Sequence, residues 1–307
     1  MADLRIGRVE SDADLEAMST VLHLANPDLP PTAGSVEGIR HNLESNPDLT
    51  YVVARLDGEP AGCGYVELED ASYVVAQVDV VPKLRGRGVG SGLLAEISRV
   101  AEMNGRSELQ GEVRESDAES RAYFERRGYV QVGGEQAVAL DLAQHDPQPV
   151  TPPPGIEIVS REERPDLAEG MYEVAQEAER DIPGAMPDRS FELWRSRELD
   201  RPSRIPALTF IALAGDEVVG YAGVDDYGAD AFHGLTAVKR AWRGQGVATA
   251  LKRSQIAAAK ERGVKRLVTE SEERNTPMRR LNEKLGYRPE PSLSTVVLRG
   301  PLLTGRS

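Results

Sequence analysis

Residues 80–91 read Val80-Val81-Pro82-Lys83-Leu84-Arg85-Gly86-Arg87-Gly88-Val89-Gly90-Ser91, and residues 238–249 read Val238-Lys239-Arg240-Ala241-Trp242-Arg243-Gly244-Gln245-Gly246-Val247-Ala248-Thr249. In each, a hydrophobic run ends, a turn with two closely spaced glycines follows, and a helical pattern begins. Successive backbone N–H groups in such a turn, with the helix N-terminus behind them, form a site for a pyrophosphate. Arg85 or Arg243 adds positive charge at its entrance. A purely structural strand-to-helix turn is the plainer reading, and two equivalent copies weigh against it. The spacing excludes other nucleotide loops, because Gly86, Gly88 and Ser91 fail G-x-G-x-x-G and no G-x-x-x-x-G-K-[ST] is present.

The two stretches lie 158 residues apart, and other landmarks keep that offset: Gly62 with Gly220, Gly105 with Gly263, Gly128 with Gly286. Residues 51–129 and 209–287 align without a gap at 20 identities in 79 positions, so the chain is an internal repeat. Before residue 51 the offset falls to 152, where Leu4-Arg5-Ile6 matches Ile156-Glu157-Ile158, leaving six extra residues in the second copy. Between the copies, residues 143–155 hold five prolines, which exclude helix and favour an extended spacer. The expected domains are therefore 1–142 and 156–307, joined by that linker.

Each copy reads as a strand, a helical region, two strands about an acidic turn, a long strand, the glycine turn, a helix ending at Gly105 or Gly263, a strand, a short helix ending at Gly128 or Gly286, and a last strand. This order predicts an α/β fold: two tandem domains, each a mixed, mostly antiparallel sheet flanked by helices.

The pattern V-x-x-x-x-R-G-x-G-[VI]-[GA], followed about forty residues later by Glu125-Arg126-Arg127-Gly128-Tyr129 or Glu283-Lys284-Leu285-Gly286-Tyr287, resembles the GNAT family of N-acetyltransferases in its tandem form. The resemblance covers nearly all of both halves. It implies that acetyl-CoA is the cofactor, that the loop takes the coenzyme A pyrophosphate, and that the preceding strand pairs with the pantetheine arm. On that basis the cofactor contacts are Val80, Val81, Pro82, Arg85, Gly86, Arg87, Gly88, Val89, Gly90 and Ser91 in the first copy. In the second they are Val238, Lys239, Arg240, Arg243, Gly244, Gln245, Gly246, Val247, Ala248 and Thr249.

The chain departs from the family where many members carry a tyrosine that protonates the departing thiolate: Phe124 and Asn282 stand there. Phenylalanine does no proton chemistry, and asparagine can only hydrogen-bond. Tyr123 is adjacent but about 100° away around a helix, not an obvious substitute. Asn275, with Asp117 as its counterpart, reads either as a helix cap or as a cap that also touches the ligand. Candidate bases beside the central strands of the second copy are Asp225, Asp226, Asp230, His233 and Glu270, each of which is also an ordinary strand or turn residue. The acidic set Glu169, Glu173, Glu177, Glu179, Asp181, Asp188 and Glu192 lines an acceptor site or forms a solvated helix face.

Formal net charge is −13, which argues against nonspecific nucleic-acid binding and suits a cationic small molecule. No apolar run is long enough to span a membrane, no signal peptide is evident, no metal site is expected, and the lone Cys63 fits a reducing compartment, with the cytoplasm as default. The expectation is a monomeric or homodimeric N-acetyltransferase acting on a small primary amine. Catalysis is expected in the second copy, with His233, Glu270, Asp226 and Asn282 as its candidates. The rival class is a non-catalytic acyl-CoA sensor or pseudoenzyme.

Overall fold

The computed structural model describes residues 3–27, 29, 32, 34–68, 72–181 and 190–303; Asp188 lies outside them. In chain order the elements are β1 (Leu4–Arg8), α1 (Asp12–Ala25), α2 (Val36–Ser45), β2 (Leu49–Leu56), β3 (Glu59–Glu67), β4 (Tyr73–Val80), α3 (Val89–Met103), β5 (Glu108–Arg114), α4 (Ala118–Glu125) and β6 (Val130–Asp141). The pattern repeats as β7 (Ile156–Ser160), α5 (Ala168–Glu179), α6 (Phe191–Glu198), β8 (Phe210–Ala214), β9 (Glu217–Tyr227), β10 (Asp230–Val238), α7 (Val247–Glu261), β11 (Arg266–Glu272), α8 (Thr276–Lys284), β12 (Arg288–Pro289) and β13 (Thr295–Pro301). Residues 145–153 run without helix or strand, as their prolines require.

Two compact units form, but they are not the two sequence halves. One holds residues 1–135 and 291–307, the other residues 136–290. The divisions fall inside β6 and after β12 rather than at the expected positions 142 and 156. The reason lies in the strands: β6 runs on for 12 residues instead of folding back as a hairpin, and β13 fills the place beside β5. Each unit thus contains a strand from the other half of the chain.

In the first unit the strand order is β1-β2-β3-β4-β5-β13-β6, with only β4 and β5 parallel. Alternation along β2 decides which helix each residue meets. Val52 and Ala54 pack beneath α3 with Leu93, Leu94 and Ile97, whereas Tyr51 and Val53 meet Met18, Val21 and Ile39 of α1 and α2. A fully buried Leu or Ile there contributes about 1.5–3 kcal/mol.

In the second unit the order is β7-β8-β9-β10-β11-β6, with β12 also on β6 and β10 parallel to β11. On one face α7 packs through Val247, Leu251 and Ile256. On the other, Met171, Val174 and Trp194 of α5 and α6 cover Ile211, Leu213 and Tyr221.

Candidate functional site

Both glycine turns have the same backbone. Gly88 (φ 84°) and Gly246 (φ 92°) cap α3 and α7 in the left-handed region, where a Cβ is strained, and neither helix start has a side-chain cap. The first N–H groups of two 15-residue helices are therefore left for another acceptor, at the positive end of the helix dipole.

Just before each turn the sheet opens. The parallel ladder joins Tyr73–Val75 to Glu108–Gln110, and Asp230–Phe232 to Arg266–Val268, and then stops. β4 continues to Val80 and β10 to Val238 without a ladder partner on that side. Such an edge can pair with an extended amide chain. β10 also carries a bulge between His233 and Thr236 that β4 lacks. His233 faces Val224 as Ala76 faces Val66, so the gapless repeat alignment slips by one residue here.

The two loops differ in charge pairing. Lys83, Arg85 and Arg87 are exposed and make no ion pair among the described residues; Arg85 acts only electrostatically on Asp117. In the second unit Arg243 answers to Arg85, Lys239 and Arg240 stand at the places of Val81 and Pro82, and all three are paired. Asp181 accepts from Arg240 at 2.6 Å and from Arg243 at 2.6 Å, Glu177 accepts from the backbone N–H of Arg240, and Lys239 pairs with Glu217 at 2.8 Å. Bonds from Arg240 and then Arg243 hold Asp181 down to about 2, so it stays ionised. The carboxylates expected on a solvated or acceptor-lining face thus include two that sit on the loop.

The sequence candidates scatter. His233 is buried, its Nε2 sharing a 2.5 Å hydrogen bond with the Tyr287 hydroxyl. Burial, and then the nearby Lys252 charge, hold its pKa well below the usual histidine value, so it stays neutral. Asn282 is 1% exposed, and neither its Oδ1 nor its Nδ2 has a partner. Asp226 accepts from the Gly228 N–H at 2.8 Å as a turn residue, Asp230 pairs with Arg266 at 2.6 Å, and buried Asp225 binds Arg201 and Ser203. Glu270 lies half-buried on β11. Asn275 accepts from the Met278 N–H at 3.3 Å and Asp117 from the Ser120 N–H at 3.0 Å, so both cap their helices.

Two features escaped the sequence reading. Tyr123 shares a 3.0 Å hydrogen bond with Ser91 in the first turn of α3, while Phe124 turns inward against Tyr129 at 5.1 Å. The 100° separation that set Tyr123 aside is what aims its phenol at the loop. Lys252 and Gln255 join His233 and Tyr287 in the core. Lys252 Nζ has no hydrogen-bond partner and lies 5.3 Å from the Tyr287 ring, and burial lowers its pKa to about 7. The signal was two polar residues within the stripe that reads Leu94 and Ile97 in the first copy.

Among the described residues no helix is long and apolar enough to cross a membrane, and no group of three or more His, Cys, Asp or Glu could hold a metal ion. The fold is similar to that of a tandem GNAT protein from the clavulanic acid biosynthesis pathway (TM-score 0.78, 23% identity, covering 99% of this chain and 100% of that one). It is also similar to a GCN5-related N-acetyltransferase from Sphaerobacter thermophilus (TM-score 0.69, 23% identity, 97% and 96% covered). Saccharomyces cerevisiae N-myristoyltransferase with bound myristoyl-CoA gives a TM-score of 0.70 at 10% identity, with 98% and 79% covered. At these identities the likeness is one of fold. No functionally curated protein matches the sequence. The model of the acetyltransferase (GNAT) family matches twice, over residues 17–129 and 169–287. With both glycine turns and most of both repeats inside those matches, the chain belongs to the GNAT acetyltransferase family.

Proposed function

We propose that the protein transfers an acetyl group from acetyl-CoA to the primary amine of a small molecule by direct attack, without a covalent enzyme intermediate. The observation that carries this reading is an uncapped glycine-led helix start placed directly after an open strand edge. Acetyl-CoA, when bound, supplies an activated thioester. In the first unit the backbone N–H groups of Gly86–Ser91, with Lys83, Arg85 and Arg87, would hold its phosphates, and the open edge of β4 would hold its amide arm. In the second unit those roles fall to Arg243–Thr249 and the edge of β10, with Asn275 nearby in sequence to α8. Fixing both reactants on a rigid edge supplies much of the rate in such a transfer.

Tyr123 is placed at the loop to give or hold a proton, in place of the tyrosine that Phe124 replaces. A net charge of −13 favours an approaching cationic amine. One buried thiol, Cys63, fits a reducing compartment such as the cytoplasm. The second reading, an acyl-CoA sensor without turnover, is favoured by one observation: Phe124 and Asn282 both face inward, so neither presents a proton donor.

The test is a thiol-release screen with acetyl-CoA against polyamines, aminoglycosides, amino acids and peptide N-termini, with products identified by mass. Steady release with an acetylated product is expected. Tyr123→Phe should slow it about tenfold or more at unchanged coenzyme A affinity. Tight coenzyme A binding with no release from any acceptor would favour the sensor.

A further inference from the structure

The two loops share a backbone and differ in what sits on them. In the second unit Arg240 and Arg243 hold Asp181, the Arg240 N–H holds Glu177, and Lys239 holds Glu217 with Glu173 at 3.6 Å. The linker also reaches this loop: a Cβ on Gly246 would meet Pro153 at 3.7 Å, whereas one on Gly88 would meet nothing within 4 Å. Arg240 and Arg243 are cations that a pyrophosphate would use, and carboxylate oxygens already satisfy them, while the first N–H groups of α7 stay open.

Among the described residues the first unit has no counterpart of these pairs. Pro82 stands where Arg240 stands and has no N–H to offer. Matching the buried faces of α1 and α5, Met18 and Val21 with Met171 and Val174, puts Leu24 in the place of Glu177. Leu24 is 49% exposed and carries no charge. Lys83, Arg85 and Arg87 make no ion pair among the described residues, and Asp28, which the same match sets in the place of Asp181, lies outside them.

We infer that the first unit holds the high-affinity cofactor site, and that Glu177 and Asp181 keep the second loop closed by standing in for phosphate oxygens. This rests on the cofactor reading above and assigns it to one unit. It also moves the expected active half from the second copy to the first. An exposed ion pair is worth at most about fivefold in an equilibrium constant. Several such contacts, together with repulsion between the two carboxylates and an incoming phosphate, weaken the second site by about tenfold to a hundredfold. The closure is therefore a handicap that high cofactor concentration overcomes.

Calorimetric titration of the full chain with coenzyme A tests this. One tight site per chain is expected, abolished by Arg85→Glu or by Gly88→Trp. Arg85→Glu alters an exposed side chain that makes no ion pair among the described residues, so its effect is separable from misfolding. The double variant E177Q/D181N should gain a second site, tightened about tenfold or more over that of the parent chain and lost again on adding Arg243→Glu. Circular dichroism checks that each variant is folded. Two equal sites in the parent chain would overturn the inference while leaving the cofactor reading intact. So would a tight site that survives Arg85→Glu, or an unchanged titration in the double variant. Coenzyme A failing to bind either the parent chain or the double variant would overturn the cofactor reading itself.

Discussion

Beneath α3 and beneath α7 the same backbone is filled in two ways. In the first unit Ala76, Leu94, Ile97 and Phe124 surround Tyr129 and form an ordinary apolar core. In the second, the same places hold His233, Lys252, Gln255 and Asn282 around Tyr287. Unmet polar atoms remain there: Lys252 Nζ and both side-chain ends of Asn282. Gln255 Nε2 does donate to the Leu208 carbonyl at 3.2 Å, so the cluster is only partly paired. An unmet buried polar atom costs about 1–3 kcal/mol. The first unit demonstrates that the fold does not require any of them. The second unit carries a stability cost that its backbone does not demand, and substitutions that exchange residues between the units measure it.

The largest effect should come from Lys252→Leu, which installs the residue of the first unit. Burial lowers the lysine from 10.5 to about 7, equivalent to about 5 kcal/mol of disfavoured charge at neutral pH as an order of magnitude. Relief of about 3–5 kcal/mol is expected in urea unfolding at pH 7, read by circular dichroism. The sign with pH follows from the lowered value. Below pH 7 both folded and unfolded chains hold the proton, and the penalty is present in full. Between about 7 and 10.5 the unfolded chain holds more protons, so stability rises with pH, and above 10.5 the penalty is gone. Lys252→Leu should remove that rise. A difference between parent and variant that does not change from pH 7 to 9 would mean that Lys252 is paired in solution.

A smaller gain, about 1–3 kcal/mol, is expected from Asn282→Leu, which removes two unmet polar atoms at a fully buried position. Calorimetric unfolding reads it. Destabilisation would show that the amide is satisfied, for example by buried water, and would narrow the contrast between the units.

The smallest effect separates two meanings of one residue. Asp117→Ala and Asn275→Ala should each cost about 1 kcal/mol as lost helix caps, seen as similar drops in unfolding midpoint. If Asn275→Ala also weakens coenzyme A binding while the cap loss stays the same, Asn275 touches the ligand as well as its own helix.

What was readable in the sequence depended on whether local chemistry decides it. Gly88 and Gly246 had to be glycine because the chain turns left-handed there, so the loops, the repeat and the α/β class were legible from a few residues. The bulge after His233 was not, because one inserted residue in a strand is offset by one lost in the preceding turn and the glycines stay aligned. The pairing of Glu177 and Asp181 with Arg240 and Arg243 spans about sixty residues, and a carboxylate at helix spacing does not announce its distant partner. Tyr123 was set aside on its angle from Phe124, when the inward face belonged to the phenylalanine. The division at residue 143 followed composition, whereas the units follow hydrogen bonds made by β6 and β13.

Placing β13 beside β5 has a consequence for how the molecule is made. The seven β13–β5 pairs run from Thr295 with Arg114 to Pro301 with Glu108. Until that segment leaves the ribosome, β5 has an open edge and the first unit is incomplete, although its first 135 residues emerge early. At ribosomal speeds the remaining stretch to Pro301 takes roughly 10–30 s to synthesise. The second unit, residues 136–290, is complete before the first. A nascent chain of this protein therefore waits with the first unit's sheet exposed along one strand, and closes it only when residues 295–301 arrive.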